Sequence, residues 1–530
     1  MKNIGFINNL KSKIATISTL GVLIGCTSIV GVQNIQAADF SKAQADALYI
    51  ENCASCHGAD RGGFIGPALT IEKYAQMPES AVSAMIAYGV EHTLMPPWNN
   101  RLTQKEIDSL AKLIKNYPKE DLKWDERDIQ HSLIVHVADE SKLPKKPTYK
   151  IKSTKNLMAV VGRGTYSNGK ESKVVFFNEK NQKVGEVITR DAPHVVNFDP
   201  KNERWAYIKS DGGRVFKVDL YSMQVVRSIK VGYTGPSLAV SFDGKYIAAG
   251  SFVPNTAVIL DAKTLMPVKY LKLEGMDLDG KYVQSDSGSI TATPYNNHFA
   301  FALENSGQVW LVDTSKESLP VTKIKNVGRH LHDAMLTPDG KKLIIAAYDD
   351  DKLAVIDFNK KKKIKDIKAG CQPHTGSGAI TKIGSRWVGF GTNIGSGSDC
   401  KKDVVTAFDA KTFEVIKQIK VSGATESPAA HPKAPYIAVD IVSNKGVDDG
   451  KIDFIDKKTL KVAKTIDVGG HSHFPEYTAD GKYLYVSSGY AGNKLVILDS
   501  KTLKIVKTLK MEVPAGIFSA ARPHNVVVGN

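Results

Sequence analysis

Residues 479–488, "ADGKYLYVSS", and 495–510, "LVILDSKTLKIVKTLK", form one unit. It runs as an Asp-Gly-Lys turn, a β-rich run, a second run ending at Asp, a Lys-Thr-Leu turn and a final run. Asp-Gly suits a turn needing positive φ, and β-branched residues on either side suit strands. The unit recurs as "FDGKYIAAG" (242–250) with "AVILDAKTLMPVKYLKL" (257–273), and as "PDGKKLIIAA" (338–347) with "LAVIDFNKKKKIKDIK" (353–368). Weaker copies begin near 153, 197, 293, 380 and 431, giving eight units of roughly 35–48 residues. Units of that length with three or four short strands predict an all-β eight-bladed propeller over residues 151–530. The hairpin-like turns argue against a solenoid.

The same repeat aligns the histidines. Counting back eleven from the first strand residue after the turn (Trp205, Leu343, Leu484) gives His194, His332 and His473. Counting back thirteen gives His330 and His471, and from Trp387 it gives His374. Six of the thirteen histidines thus fall at two offsets differing by two, which on an extended segment is one face. The matching positions elsewhere include Thr234, Pro236, Ala424 and Glu426. Segments feeding the innermost strands of a propeller converge on one mouth of its channel, so imidazoles from four blades are expected there. Such a cluster suits a metallo-cofactor or proton transfer near neutral pH, and a flat macrocycle would use a channel of this size.

Ahead of the repeats the chain is of another kind. "NCASCHGADRGG" (52–63) carries C-x-x-C-H, the pattern for covalent attachment of a c-type haem through Cys53 and Cys56, with His57 on the iron. "GFIGPAL" (63–69) and "LMPPW" (94–98) follow, then "LTQKEIDSLAKLIKNY" (102–117), an amphipathic helix capped by Thr103 with Glu106 three residues on. The succession resembles a small all-α class I cytochrome c domain over residues 39–118. Met95 is the expected sixth ligand, because a thioether stabilises ferrous iron; Met77 and His92 are the alternatives. Residues 119–150 are charged and proline-containing and read as a connection, with His131 and His136 as surface or packing residues.

The first 38 residues read as an export signal, with Lys2, Lys11 and Lys13 before an apolar run from Ile14 and small residues at Ala37 and Ala38. "LIGC" ending at Cys26 also fits a lipid-anchoring site, and an uncleaved membrane anchor is a third reading. All three put the protein in the periplasm or its equivalent. There Cys371 and Cys400 are expected as a disulfide, the alternative being two buried thiols. The net charge of +16 comes mainly from dispersed lysines. No dense basic block with interleaved aromatics points to nucleic acid, whereas a basic surface suits an acidic redox partner.

A cytochrome c domain followed by an eight-bladed propeller resembles the cytochrome cd1 family, whose propeller holds haem d1 noncovalently. The resemblance implies that "DAPHVVNFDPKNERWAYI" (191–208) bears the proximal d1-haem ligand, His194. It also implies that "RHLHDAMLTPDGKKLIIAA" (329–347) and "GCQPHTGSGA" (370–379) supply the distal histidines His332 and His374. Haem d1 is rich in carboxylates, so cationic partners are expected: Arg214 in "SDGGRVFKVDLY" (210–221), then Arg190 and Arg329.

Within the family, two denitrification-linked activities share this architecture. One reduces nitrite to nitric oxide on haem d1, fed by haem c. The other dehydrogenates a propionate side chain of dihydro-haem d1 to an acrylate and passes electrons to haem c. Nitrite reductases of the family end in a "TGKFNVYNT"-type motif, but this chain ends "VPAGIFSAARPHNVVVGN" (513–530). "GGHSHFPEY" (469–477) adds imidazoles that the reductase pattern does not require. Both features favour the dehydrogenase, with His471 or His473 as base and an external redox protein as electron acceptor. A non-catalytic d1-haem carrier would not need the cytochrome domain.

Overall fold

The computed structural model describes residues 40–522, less 59–60, 62–68, 70–73, 75–76, 90–94, 117–122, 164–171, 190–191, 296, 396–400, 445–446, 471 and 490–492. The expectations for Cys26, the cleavage site, His92, Arg190, Cys400 and His471 lie outside the described residues, as does the side chain of Cys56.

Helix α1 (Lys42–Asn52) starts at a capping box between Ser41 and Gln44 and leads into the short helix α2 (Ala54–His57). Helices α3 (Glu79–Tyr88) and α4 (Gln104–Asn116) follow further along the chain. The expected cap of α4 is present: Glu106 accepts the Thr103 amide (2.7 Å), and its own amide donates to the Thr103 hydroxyl (3.3 Å). Ile107, Leu110, Ala111 and Ile114 on α4 follow the i, i+3, i+4, i+7 spacing of one buried face. They pack with Tyr49, Val82 and Ile86, and Cys53, Leu69, Met77 and Met95 border that core. His57 is buried.

Beyond residue 150 the chain forms eight four-stranded antiparallel blades. The C-terminal strand Pro514–Ser519 is the innermost strand of the blade begun by Met158–Gly162, Lys173–Phe177 and Lys183–Ile188. Its register (Met158 opposite Ser519, Val160 opposite Ile517) ties the end of the chain to the start of the ring and removes two free edges.

The repeated turns have local causes. In the Asp-Gly-Lys turns, Asp243, Asp339 and Asp480 each accept the amide two residues on, and Gly244, Gly340 and Gly481 hold φ of 72°, 66° and 70°. In the Lys-Thr-Leu turns, Asp261 and Asp499 accept the amides of Thr264 and Thr502. Leu265 and Leu503 take positive φ there, a strained setting held by burying both side chains.

The connecting segment is built onto a blade. Asp125 caps helix α5 (Glu126–His131), and Ile134–Val135 adds a fifth strand outside Gln224–Lys230. Glu140 pairs with Lys217 and Arg227, and His136 bonds the Ser228 hydroxyl (2.9 Å), a packing role. Among the described residues no helix is long and apolar enough to cross a membrane.

Candidate functional site

Four inner strands begin alike: Pro193–Phe198, Leu331–Leu336, Pro373–Ile383 and Ser472–Tyr477. In each, the first residue pairs with the last residue of the second strand, the next is a histidine, and the ladder then slips. The histidines are His194, His332, His374 and His473. His194 and His332 lie within the bulge and His374 and His473 directly before it, which re-aims each side chain without breaking the blade.

This alignment corrects the offset assigned to His374. From Pro373 the ladder uses six residues to advance three on its partner, whereas from Leu331 the blade of His332 uses four. Two extra bulge residues therefore carry His374 from the offset of eleven to thirteen, and it is the equivalent of His332, not of His330. The extended geometry expected around His330 also fails. His330 takes φ 50° and lies half-exposed at the rim, 3.5 Å from Glu304 Oε2 and 3.7 Å from Asp349 Oδ2.

His194 is held from one side. Its Nδ1 lies 2.9 Å from Asp211 Oδ1, and Asp211 follows the second strand of the same blade (Trp205–Ser210). From the neighbouring closing blade, Arg163 places Nη2 2.6 Å from that nitrogen and Nη1 3.7 Å from Asp211 Oδ2. Arg163 can donate to Nδ1 only when that nitrogen is unprotonated, and Asp211 can accept from it only when it is protonated. The two contacts therefore orient the ring without fixing its tautomer, and the guanidinium balances the Asp211 charge. Enclosure lowers the affinity of the His194 ring for a proton, Asp211 opposes that, and Arg163 adds to it; the net shift is downward. Both contacts engage Nδ1, so Nε2 is the ring nitrogen placed to meet iron.

The opposite wall is built otherwise. Asp333 bridges two histidines, with Oδ1 3.0 Å from His332 Nδ1 and Oδ2 2.9 Å from His374 Nε2. His374 Nδ1 meets the Glu426 backbone carbonyl at 2.7 Å. Burial would push His374 down, but Asp333 and Glu426 outweigh it and hold the ring at about 9. Burial likewise opposes charge on Asp333, yet the two imidazoles keep its carboxyl well below the usual range. Tyr348 stacks on His332 at 4.7 Å between ring centres.

Next around the ring, Glu426 Oε2 lies 3.0 Å from His473 Nδ1, and Asp440 Oδ2 lies 3.8 Å from it. Those carboxylates outweigh burial and raise His473 above the ordinary histidine value. Asp440 accepts the amides of Glu426 (2.9 Å), Ser427 (2.8 Å) and Phe474 (3.1 Å), which fixes both the start of one inner strand and the bulge of the next. Burial pushes the Asp440 carboxyl up to about 6.

Of the expected cationic partners, Arg214 donates to the Ser132 carbonyl and the Ser228 hydroxyl, both at 3.4 Å, on the outer edge of its blade. Arg329 is exposed and pairs with Asp279 at 2.6 Å. Cys371 is fully buried and disulfide-bonded.

Sequence reasoning passed over Arg163, Asp211, Asp333, Tyr348, Glu426 and Asp440. Two of them carried a signal: Asp333 follows His332, and Glu426 falls at the histidine offset of its own blade. Arg163 carried none.

The donor set fits a bound tetrapyrrole: an imidazole pushed toward its neutral form in one blade, and carboxylate-backed imidazoles of raised proton affinity in three others. This is the organisation of a d1-haem propeller joined to a cytochrome c. Residues 152–523 match the family described as Cytochrome D1 heme domain, and residues 41–114 match that of cbb3-type cytochrome c oxidase subunit III. The chain belongs to the cytochrome d1 haem domain family. It is 27% identical over 506 residues to the dihydro-heme d1 dehydrogenase of Pseudomonas aeruginosa, covering 94% of this chain and 96% of that protein. A nitrite reductase of Stutzerimonas stutzeri is 24% identical, with 90% of each chain covered. The solved structure of the dihydro-heme d1 dehydrogenase NirN in complex with DHE superposes with a TM-score of 0.73 and 26% identity, over 90% of this chain and 99% of that one.

Proposed function

We propose that this protein is a periplasmic dihydro-haem d1 dehydrogenase, converting a propionate side chain of its tetrapyrrole substrate to an acrylate. The observation that carries the reading is the His473–Glu426 pair. It is a carboxylate-backed imidazole set apart from both the iron-facing His194 and the doubly engaged His374. Nitrite reduction needs protons delivered to an oxygen on iron, for which His332 and His374 suffice. Side-chain dehydrogenation needs a base away from iron, and His473 supplies one.

His194 binds the substrate iron through Nε2, steadied by Asp211 and Arg163. His473 takes the proton from the side chain on Nε2 while Glu426 holds Nδ1, and His471 is the second candidate for this role. His332 and His374 give a cationic face to the carboxylate-rich macrocycle, with Arg190 as a further cationic partner, whereas Arg214 and Arg329 are engaged by Ser132, Ser228 and Asp279 instead. Haem c, held by Cys53, Cys56 and His57 with Met95 as sixth ligand, supplies one-electron acceptance for the two electrons released. Export depends on residues 1–38, with lipidation at Cys26 as one mode of attachment, and an acidic redox protein is the external acceptor.

The test is to load the purified protein with dihydro-haem d1. Conversion to haem d1 with reduction of the protein's own haem c supports the reading. Failure to convert it, together with sustained turnover of nitrite, would replace the reading by nitrite reductase. Stable binding with neither reaction would leave a carrier.

A further inference from the structure

The polar groups of the His473 wall form a chain across five consecutive blades. His473 Nδ1 is 3.0 Å from Glu426 Oε2, and Glu426 Oε1 is 3.9 Å from His374 Nε2. His374 Nε2 is 2.9 Å from Asp333 Oδ2, and Asp333 Oδ1 is 3.0 Å from His332 Nδ1. Beyond His332 lie Glu304, whose charge acts on that ring, then His330 at 3.5 Å from Glu304, and Asp349 at 3.7 Å from His330. The chain begins at a side chain 14% exposed and ends at one 54% exposed. Imidazole and carboxylate alternate throughout, so each member can take a proton from one neighbour and give one to the next.

We propose that this chain is a proton exit route, carrying the proton taken by His473 through Glu426, His374, Asp333 and His332 to the His330–Asp349 pair at the rim. The proposal rests on the dehydrogenase reading. It meets a need of that reaction, since a macrocycle seated in the mouth covers His473, and the base must lose its proton before the next turnover.

The balance closes. A –CH2–CH2– unit becoming –CH=CH– releases two electrons and two protons. The electrons pass singly to haem c and on to a one-electron oxidant such as ferricyanide. Each proton taken by His473 leaves as Nδ1–H to Glu426, is handed along, and reaches water at Asp349, every member returning to its starting state. The link from Glu426 to His374, at 3.9 Å, exceeds a hydrogen bond and requires the Glu426 side chain to swing. That side chain is 27% exposed, which leaves it room to do so.

The experiment uses the full-length protein with haem c oxidised and dihydro-haem d1 bound. Haem c reduction and proton release to a pH-indicator dye are followed together in weak buffer. In the native protein the two should coincide. In Asp349→Asn, at the exposed end, haem c reduction in the first turnover should keep its rate within about twofold, while proton release lags by roughly tenfold or more and is restored by added imidazole. Asp333→Asn should show a larger lag of proton release behind haem c reduction, measured against whatever rate of that reduction the variant retains. In the substrate-free protein, nitrogen NMR should show a slowly exchanging His374 Nε2–H that is lost in Asp333→Asn. The proposal is overturned if proton release keeps pace with haem c reduction in both variants. It is equally overturned if both signals slow by the same factor, or if the His374 N–H survives the substitution. A native protein that does not oxidise dihydro-haem d1 at all instead removes the reading beneath it.

Discussion

Two walls of one channel mouth use the same pairing of imidazole and carboxylate to opposite ends. At His194 one carboxylate serves one ring and Arg163 supplies the neutralising charge, so the ring is pushed toward its neutral form. At His332, His374 and His473 the carboxylates that meet the rings, Asp333, Glu426 and Asp440, outweigh burial, and all three are pushed toward the cation. Burial acts in the same direction on all four. The local charge balance decides whether a propeller histidine becomes a metal ligand or a proton carrier.

The contrast can be broken at several points. The largest effect is expected from His473→Ala, which should slow dihydro-haem d1 oxidation by about 100- to 10,000-fold in single-turnover absorbance while leaving binding intact. Loss of binding instead would put His473 with His194 as a ligand. His194→Ala should act the other way, weakening tetrapyrrole affinity by more than the roughly 10–100-fold that loss of an outer partner costs; a spectral titration decides it.

A pH test separates the walls without any ligand. His374 is held at about 9, above the ordinary histidine value, so its paired form stabilises the fold. That stability is fully present below pH ~6.5 and is lost as pH rises through about 9, a contribution on the order of 3 kcal/mol. The thermal midpoint of the native protein, measured against that of His374→Gln, should therefore fall across this window. A pH-independent difference would show that the ring is not charged in the fold. The smallest effect is expected from Asp211→Asn, at about 10–100-fold in affinity with the oxidation rate of bound substrate little changed. Binding titration and single turnover together would read that split.

The blades were legible because their punctuation is local: an Asp accepting amides two and three residues on, a Gly at positive φ, a buried Leu in the second turn. His194, His332 and His473 were legible because the repeat carries them at one spacing. His374 was misaligned by its longer bulge, which no short-range pattern announces. Glu426 sat at the aligned position but was set aside because it is not a histidine. The segment 119–150 gave no period because its strand is only Ile134–Val135 and takes its register from the blade edge.

By itself, the sequence determined what depends on neighbours along the chain: the haem-attachment triad Cys53, Cys56 and His57, the cap of α4, the eight units and the histidines they repeat. The tertiary structure alone decided what each histidine is for. Arg163 and His194 are 31 positions apart, and His374 and the Glu426 carbonyl are 52 apart. Protonation in an enclosed channel is set by charges a few ångströms away through space, and ring closure, not sequence order, brings those charges together.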